Sequence, residues 1–240
     1  MSVLDHYEKH LADYYSWMFG DIEKKLDDNR QFFSLRNIEP FQTKLAYDLG
    51  AGCGFQSIPL AEAGFRVKAV DFSKKLLSEL EHHRGNLSIE SIESDIMHFE
   101  DYATEQADLF VCMGDTLTHL ESKDDVRVLF EKIFKKLEPK GWLVLSYRDL
   151  TFELTGSGRF IPVRGTPERT FTCFLEYFPD HVQVFDIVNE LQNGQWQQKI
   201  SSYKKIKIAK DEALKLLRET GFGIQYEDVT RGMVTIIATK

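Results

Sequence analysis

Cysteine is scarce in this 240-residue chain, and its three occurrences, Cys53, Cys112 and Cys173, are too scattered for a disulfide framework or a zinc site. They read as small buried apolar residues, and no metal is expected. No apolar run approaches the roughly 20 residues that a membrane span requires, and the opening MSVLDHYEKH lacks the apolar centre of a signal peptide. A cytoplasmic protein without a membrane partner is the expectation. Positive charge is in deficit, 30 Lys and Arg against 38 Asp and Glu, for a formal net charge of -8. Nucleic acid phosphates are normally met by a basic face, so this balance argues against such a partner. Repeats, low-complexity tracts and linkers are missing too. With 42% hydrophobic residues the chain is expected to form one domain over 1–240.

What the chain does contain is centred on residues 44–72, KLAYDLGAGCGFQSIPLAEAGFRVKAVDF. An apolar strand runs into Asp48-Leu49-Gly50-Ala51-Gly52-Cys53-Gly54, with three glycines at alternate positions ahead of a helix-forming run. Such a turn lets a ligand press against bare main chain while helix N–H groups face outward. A second strand, Phe65 to Val70, ends on Asp71, where a carboxylate can reach a ribose diol. The dinucleotide fingerprint would need glycine or alanine where Phe55 stands, which argues against a nicotinamide cofactor.

The string Asp48-x-Gly50-x-Gly52-x-Gly54 instead resembles the first motif of class I S-adenosylmethionine-dependent methyltransferases, and Val70-Asp71-Phe72-Ser73 is similar to their second. The resemblance extends over nearly the whole chain. It implies a Rossmann-like α/β fold, a seven-stranded sheet with helices on both faces, and S-adenosyl-L-methionine as cofactor with S-adenosyl-L-homocysteine as product. It also implies that Asp48, Gly50, Ala51, Gly52 and Gly54 hold the methionine part, that Asp71 with Phe72 meets the ribose, and that Asp95 with Ile96 meets the adenine. On the residues alone, Asp95 equally caps a short helix.

The fourth strand, Ala107 to Met113, leads into Gly114-Asp115-Thr116-Leu117-Thr118-His119-Leu120. Ligands bind at the carboxyl ends of strands in open α/β sheets, which places Met113, Gly114 and Asp115 beside the cofactor. The Asn/Asp-Pro-Pro-aromatic motif of DNA and protein amide methyltransferases is not here. The string resembles the Gly-Asn-Ser-x-x-His-Leu of glycine and sarcosine N-methyltransferases, and so implies a small-molecule acceptor. Arg148 matches an arginine of those enzymes that grips a substrate carboxylate; a plain ion pair with a local acid is the other reading. His119, Asp115 and Tyr15 are candidate proton acceptors, His119 being equally readable as a residue satisfying neighbouring backbone.

Residues 4–19 recur at helical spacing through Tyr7, Leu11, Tyr14, Tyr15 and Met18, which predicts one amphipathic helix in a helical lid over 1–40. By resemblance, Trp17 and Met18 cover the cofactor and Tyr14 the substrate. Between 151 and 209 the period becomes two, and Pro179-Asp180 and Asn193-Gly194 supply turns, predicting three or so antiparallel strands as a wall beside the site. Arg159, Arg164 and Arg169 lie on its approach, as solvated loop residues or as anion contacts. A helix and a hairpin about Arg231-Gly232 close the chain. The expectation is methyl transfer to a small molecule, at nitrogen. An O-methyltransferase or a non-catalytic cofactor-binding module are the alternatives, and the oligomeric state is left open.

Overall fold

The computed structural model describes residues 3–240. Seven strands form a mixed sheet: β1 (Leu45–Leu49), β2 (Arg66–Asp71), β3 (Ile89–Glu93), β4 (Ala107–Cys112), β5 (Leu137–Arg148), β10 (Gly223–Thr230) and β11 (Met233–Thr239). Their spatial order is β10-β11-β5-β4-β1-β2-β3, with only β11 antiparallel to its neighbours. Every residue of β1 and β4 is buried, as continuous apolar strands covered on both faces must be. Helices α4 (Ser57–Glu62), α5 (Lys74–His83), α6 (Lys123–Lys136) and α7 (Lys210–Thr220) pack against the sheet, with α3 (Ile22–Leu35) ahead of β1. Ser73 caps α5 by accepting from the Leu76 N–H, and Ser122 caps α6 through Asp125.

The strand order reverses between β1 and β4, so the two loops leaving their carboxyl ends splay apart and leave a crevice. The carboxylate of Asp108, at the other end of β4, accepts four backbone N–H bonds from Phe41, Gln42, Thr43 and Lys44 and pins the entry to β1.

Within residues 151–209, where three or so antiparallel strands are expected, four form a second sheet: β6 (Phe160–Gly165), β7 (Arg169–Tyr177), β8 (His181–Gln192) and β9 (Gln195–Ile206). The β8–β9 turn puts Asn193 and Gly194 at φ 52° and 76°, as a two-residue hairpin with matching twist requires. Pro139-Lys140-Gly141 forms a bulge within β5, with Lys140 at φ 70° and the register jumping from Ala107↔Leu137 to Leu109↔Trp142.

The single N-terminal helix expected over residues 4–19 is in fact broken. Helix α1 (Val3–Lys9) gives way to a 3-10 turn (Leu11–Tyr14) and then α2 (Tyr15–Phe19). The break lets His6 and Tyr14 both reach the second sheet while Tyr15 turns to the glycine loop. His6 donates or accepts at 3.0 Å to Asp186 and at 2.7 Å to Ser201, and the Tyr14 hydroxyl donates to Glu190 at 2.9 Å. Among the described residues no helix is long and apolar enough to cross a membrane.

Candidate active site

Two cavities lie side by side at the carboxyl ends of β1, β2 and β4, roofed by the broken N-terminal segment. The first, of about 450 Å³, is bounded by the glycine turn, the end of β2 and the loop after β3. The second, of about 400 Å³, lies between the sheet's end and the inner face of the four-stranded wall. Tyr7, Tyr15, Gly50, Gly114 and His119 border both, so the cavities share one partition.

The glycine turn is built by close approach. A Cβ on Gly50, at φ 80°, would collide with the whole Thr116 side chain, including its Cβ at 2.8 Å. Gly54 lines neither cavity; its missing side chain admits Leu80 of α5, whose Cγ would stand 3.3 Å from a Cβ there. Gly52 faces the first cavity, and its N–H donates to Asp71 Oδ2 at 2.8 Å while Ser73 N–H donates to Oδ1 at 2.8 Å. Those bonds aim the Asp71 carboxylate across the cavity floor. Burial pushes its pKa up to about 6, against the pull of the two N–H donors. Phe72, Leu76, Ile96 and Met97 add an apolar slot beside it. Asp95 also borders this cavity, and it caps the turn after β3 by accepting from Met97 N–H at 2.8 Å.

Asp48 lines neither cavity. Its Oδ2 accepts from the Ser57 hydroxyl at 2.6 Å, its Oδ1 is buried without a partner, and burial raises its pKa to about 7. Ala51 and Met113 border the second cavity, with Met18. Trp17 and Tyr14 reach neither. Arg164 and Arg169 stack over the Trp17 ring at 5.0 and 4.9 Å, and Lys199 and Glu190 hold the Tyr14 hydroxyl, so these side chains latch the N-terminal segment to the wall. Arg159 stacks on Phe174 at 4.9 Å.

In the second cavity Gly114 and Asp115 are both left-handed, at φ 74° and 82°, which folds the Asp115 carboxylate back toward β5. There it accepts the Arg148 backbone N–H at 2.8 Å and the Thr118 hydroxyl at 3.1 Å, and pairs with the ammonium of Lys205 from β9. Burial works to raise this carboxyl, and Lys205 overrides it, holding Asp115 ionised well below the usual carboxylate range. The Arg148 guanidinium sits on the exposed rim, 3.5 Å from the Arg231 carbonyl. His119 ends a short 3-10 turn rather than starting a helix, and its Nε2 is 3.3 Å from the Tyr7 hydroxyl. Its Nδ1 is buried and unpartnered, and burial together with Lys205 drives the pKa down to about 3. Neutral imidazole is therefore the working form.

Tyr7, Lys205, Asp186 and Cys173 also border this cavity and were not singled out from the sequence as site residues. Only Tyr7 carried a signal, its place in the N-terminal aromatic pattern. Lys205 was hidden in Lys-Ile-Lys-Ile, which reads as a solvated alternation.

The first cavity fits an adenosyl group. It offers a flat apolar slot, a buried carboxylate with lone pairs to spare for a diol, and bare main chain at Gly52 and Gly114. The rings of Tyr7 and Tyr15 on the partition suit a cationic centre.

Comparison with known proteins agrees. Residues 46–141 match the family model described as a methyltransferase domain. A glycine/sarcosine N-methyltransferase of Aphanothece halophytica is 27% identical over 150 residues, covering 60% of this chain and 56% of the relative. A cypemycin N-terminal methyltransferase from a Streptomyces species is 29% identical over 153 residues, covering 58% of this chain and 61% of its own length. The chain thus spans little more than half the length of these curated relatives. Among solved structures, the CcbJ methyltransferase of Streptomyces caelestis superposes with a TM-score of 0.80 at 17% identity, covering 97% of this chain and 96% of that one. CalS10 of Micromonospora echinaspora, an amino pentose methyltransferase with S-adenosylmethionine bound, gives 0.73 at 14% identity, with 95% of each chain covered.

Proposed function

The chain has the class I methyltransferase fold, with residues 46–141 matching that family's domain, and from this premise we propose that it is an S-adenosylmethionine-dependent enzyme methylating a small-molecule amine. The observation that carries the proposal is the shared partition: a donor in the first cavity and an acceptor in the second would meet only at Tyr7, Tyr15, Gly50, Gly114 and His119. The donor supplies an already activated methyl group, so the chemistry asks chiefly for alignment, for which well-oriented reactants gain about 7–11 kcal/mol.

The residues of the chain do that aligning. Asp71 takes the diol, Gly52 and Gly114 admit the chain of the donor, and Asp95 with Ile96 borders the base. Tyr7 and Tyr15 wall the transfer point and exclude water. Nitrogen is favoured over oxygen because a hydroxyl acceptor needs a base poised near neutrality. His119, at about 3, and Asp115, held ionised by Lys205, are both far from that range. An amine needs only to shed its own proton to solvent, after which the neutral His119 can accept a hydrogen bond from it. Several relatives and neighbours are named as N-methyltransferases, which supports the same choice.

The second cavity lies within the 300–1,000 Å³ usual for small-molecule sites, and Met18, Phe19, Ile161 and Phe171 give it apolar walls. An acceptor with an apolar body fits better than glycine itself. Arg148 on the rim is placed for an acidic substituent at the outer end. The test is incubation with S-adenosylmethionine and a panel running from glycine to arylalkylamines, with mass spectrometry of the products. Methylated arylalkylamine and unmodified glycine are expected. Binding of S-adenosylhomocysteine with no methylated product from any amine or metabolite fraction would leave a non-catalytic binding module. Product methylated at oxygen would overturn the nitrogen assignment.

A further inference from the structure

The inner face of the wall carries a carboxylate that its neighbours leave half-satisfied. Asp186, in the middle of β8, is 1% exposed and borders the second cavity together with Cys173 of β7. Its Oδ2 lies 3.0 Å from His6 Nε2, and the other ring nitrogen of His6 is 2.7 Å from the Ser201 hydroxyl. A hydroxyl can donate to that nitrogen, so one neutral ring serves both bonds and brings no charge. Among the described residues, Asp186 Oδ1 receives only the Cys173 thiol, at 3.1 Å, and a thiol is a weak donor. The cations of this face are committed elsewhere, Lys205 to Asp115 and Lys199 with Arg169 to Glu190. A carboxylate taken out of water is costly unless a cation and full hydrogen bonding accompany it. Mooring the N-terminal segment does not account for that cost, since an uncharged amide at this position would hold His6 as well.

The strand register locates this carboxylate within the cavity. On the inner face, Lys205, Tyr203 and Ser201 of β9 stand level with Val182, Val184 and Asp186 of β8. Two residues of strand span about 7 Å. The Lys205–Asp115 pair therefore marks one end of the cavity wall, Tyr203 its middle and Asp186 the other end. The transfer point belongs at the middle, because the ring of His119, on the partition, lies 5.3 Å from that of Tyr203. Val184 and Leu175, paired across β8 and β7, keep the stretch toward Asp186 apolar. We propose that Asp186 is a second binding point of the acceptor site, taking a protonated amino group about 7 Å along the wall from the nitrogen that is methylated, so that the preferred acceptor is a diamine with an apolar spacer. The second ammonium supplies both the charge and the strong donor that Oδ1 lacks, and it holds the acceptor at two points so that the first nitrogen stays at the partition. A hydroxyl in its place would complete the hydrogen bond and leave the charge unpaired. This assignment rests on the second cavity being the acceptor's.

Titration calorimetry of the full chain with S-adenosylhomocysteine bound compares para-xylylenediamine with para-methylbenzylamine, which has the same ring and a single nitrogen. The diamine should bind at least roughly tenfold tighter, the effect of one charge-assisted bond and more than the statistical gain of a second nitrogen. Asp186→Asn, which keeps an acceptor for His6, should bring that ratio down to about threefold or less. A wild-type ratio of about threefold or less overturns the proposal, and that comparison needs no variant. So does a ratio that persists in Asp186→Asn, including the case where the variant loses both amines in proportion, as it would if Asp186 served only to moor His6. Diamine binding that depends on Asp186 without any methylated product would leave this subsite standing and remove the transfer reaction. Methylation of both amines with equal kcat/KM would remove the subsite and leave the reaction.

Discussion

Replacing Lys205 by Met removes the one cation facing Asp115 while keeping the apolar stem of the side chain. Lys205 and Asp115 have side chains only 10% and 15% exposed, so solvent screens the pair little and would solvate the orphaned carboxylate poorly. Breaking a buried pair by deleting one partner typically costs about 3–5 kcal/mol. For a chain of this size that corresponds to a fall in melting temperature of roughly 6–20 °C. The pH dependence identifies the cause. In the wild type the Asp115 pKa is depressed, so its contribution is present above the unfolded value of about 3.9 and is lost as pH falls through the folded one. In Lys205→Met burial outweighs the remaining Arg148 N–H donor, the folded pKa rises, and the deficit should be full near neutrality and shrink on acidification. Calorimetry from pH 4 to 8 measures both. Asp115→Asn added to Lys205→Met should recover most of the loss, because the amide oxygen still accepts the Arg148 N–H and no charge is buried. A deficit below about 1 kcal/mol, a deficit flat in pH, or a double variant no better than the single one would refute the reasoning.

Asp71→Ala should weaken S-adenosylhomocysteine by about 1.5–3 kcal/mol through lost charge-assisted bonds, measured by titration calorimetry, and unchanged affinity would remove Asp71 from the diol. In the wild type the same affinity should decline as pH drops through about 6, where the Asp71 carboxylate takes up a proton. Gly50→Ala should displace the Thr116–His119 turn and abolish turnover, and Thr116→Gly in the same chain should restore part of it, because the nearest clashes are with the Thr116 side chain while the strain of φ 80° remains. His119 should show no NMR titration between pH 5 and 9, its pKa lying near 3, so that the acid limb of kcat/KM reports the acceptor's own amine. A histidine inflection near 6.5 would instead return His119 to the role of general base.

The parts of this fold that local chemistry determines were legible. The strand-glycine-helix turn, the acid closing β2, the Asn193-Gly194 turn and the Arg231-Gly232 turn depend on residues within a few positions of one another, and the backbone takes the left-handed angles they permit. The parts that failed are determined across the chain. The N-terminal segment has a helix's periodicity throughout, and it breaks because His6 and Tyr14 answer to Asp186 and Glu190, 180 and 176 residues away. Lys205 and Lys207 look like the wet half of a strand and are 8% and 7% exposed, since Asp115 and Glu153 await them.

These misreadings have one origin. Alternation along a strand tells which residues share a face but not which face meets the protein, and the usual tie-breaker is that the apolar face goes inward. In the wall that rule is incomplete, because its inner face carries Phe171, Leu175, Val182, Val184 and Val188 and also borders a cavity and an ionic latch. A strand whose buried side mixes valines with carboxylates has been shaped by what it encloses as well as by the core it packs on. The polar inward members, Asp186, Glu190, Ser201 and Lys205, follow from the site and from the latch that holds the N-terminal segment.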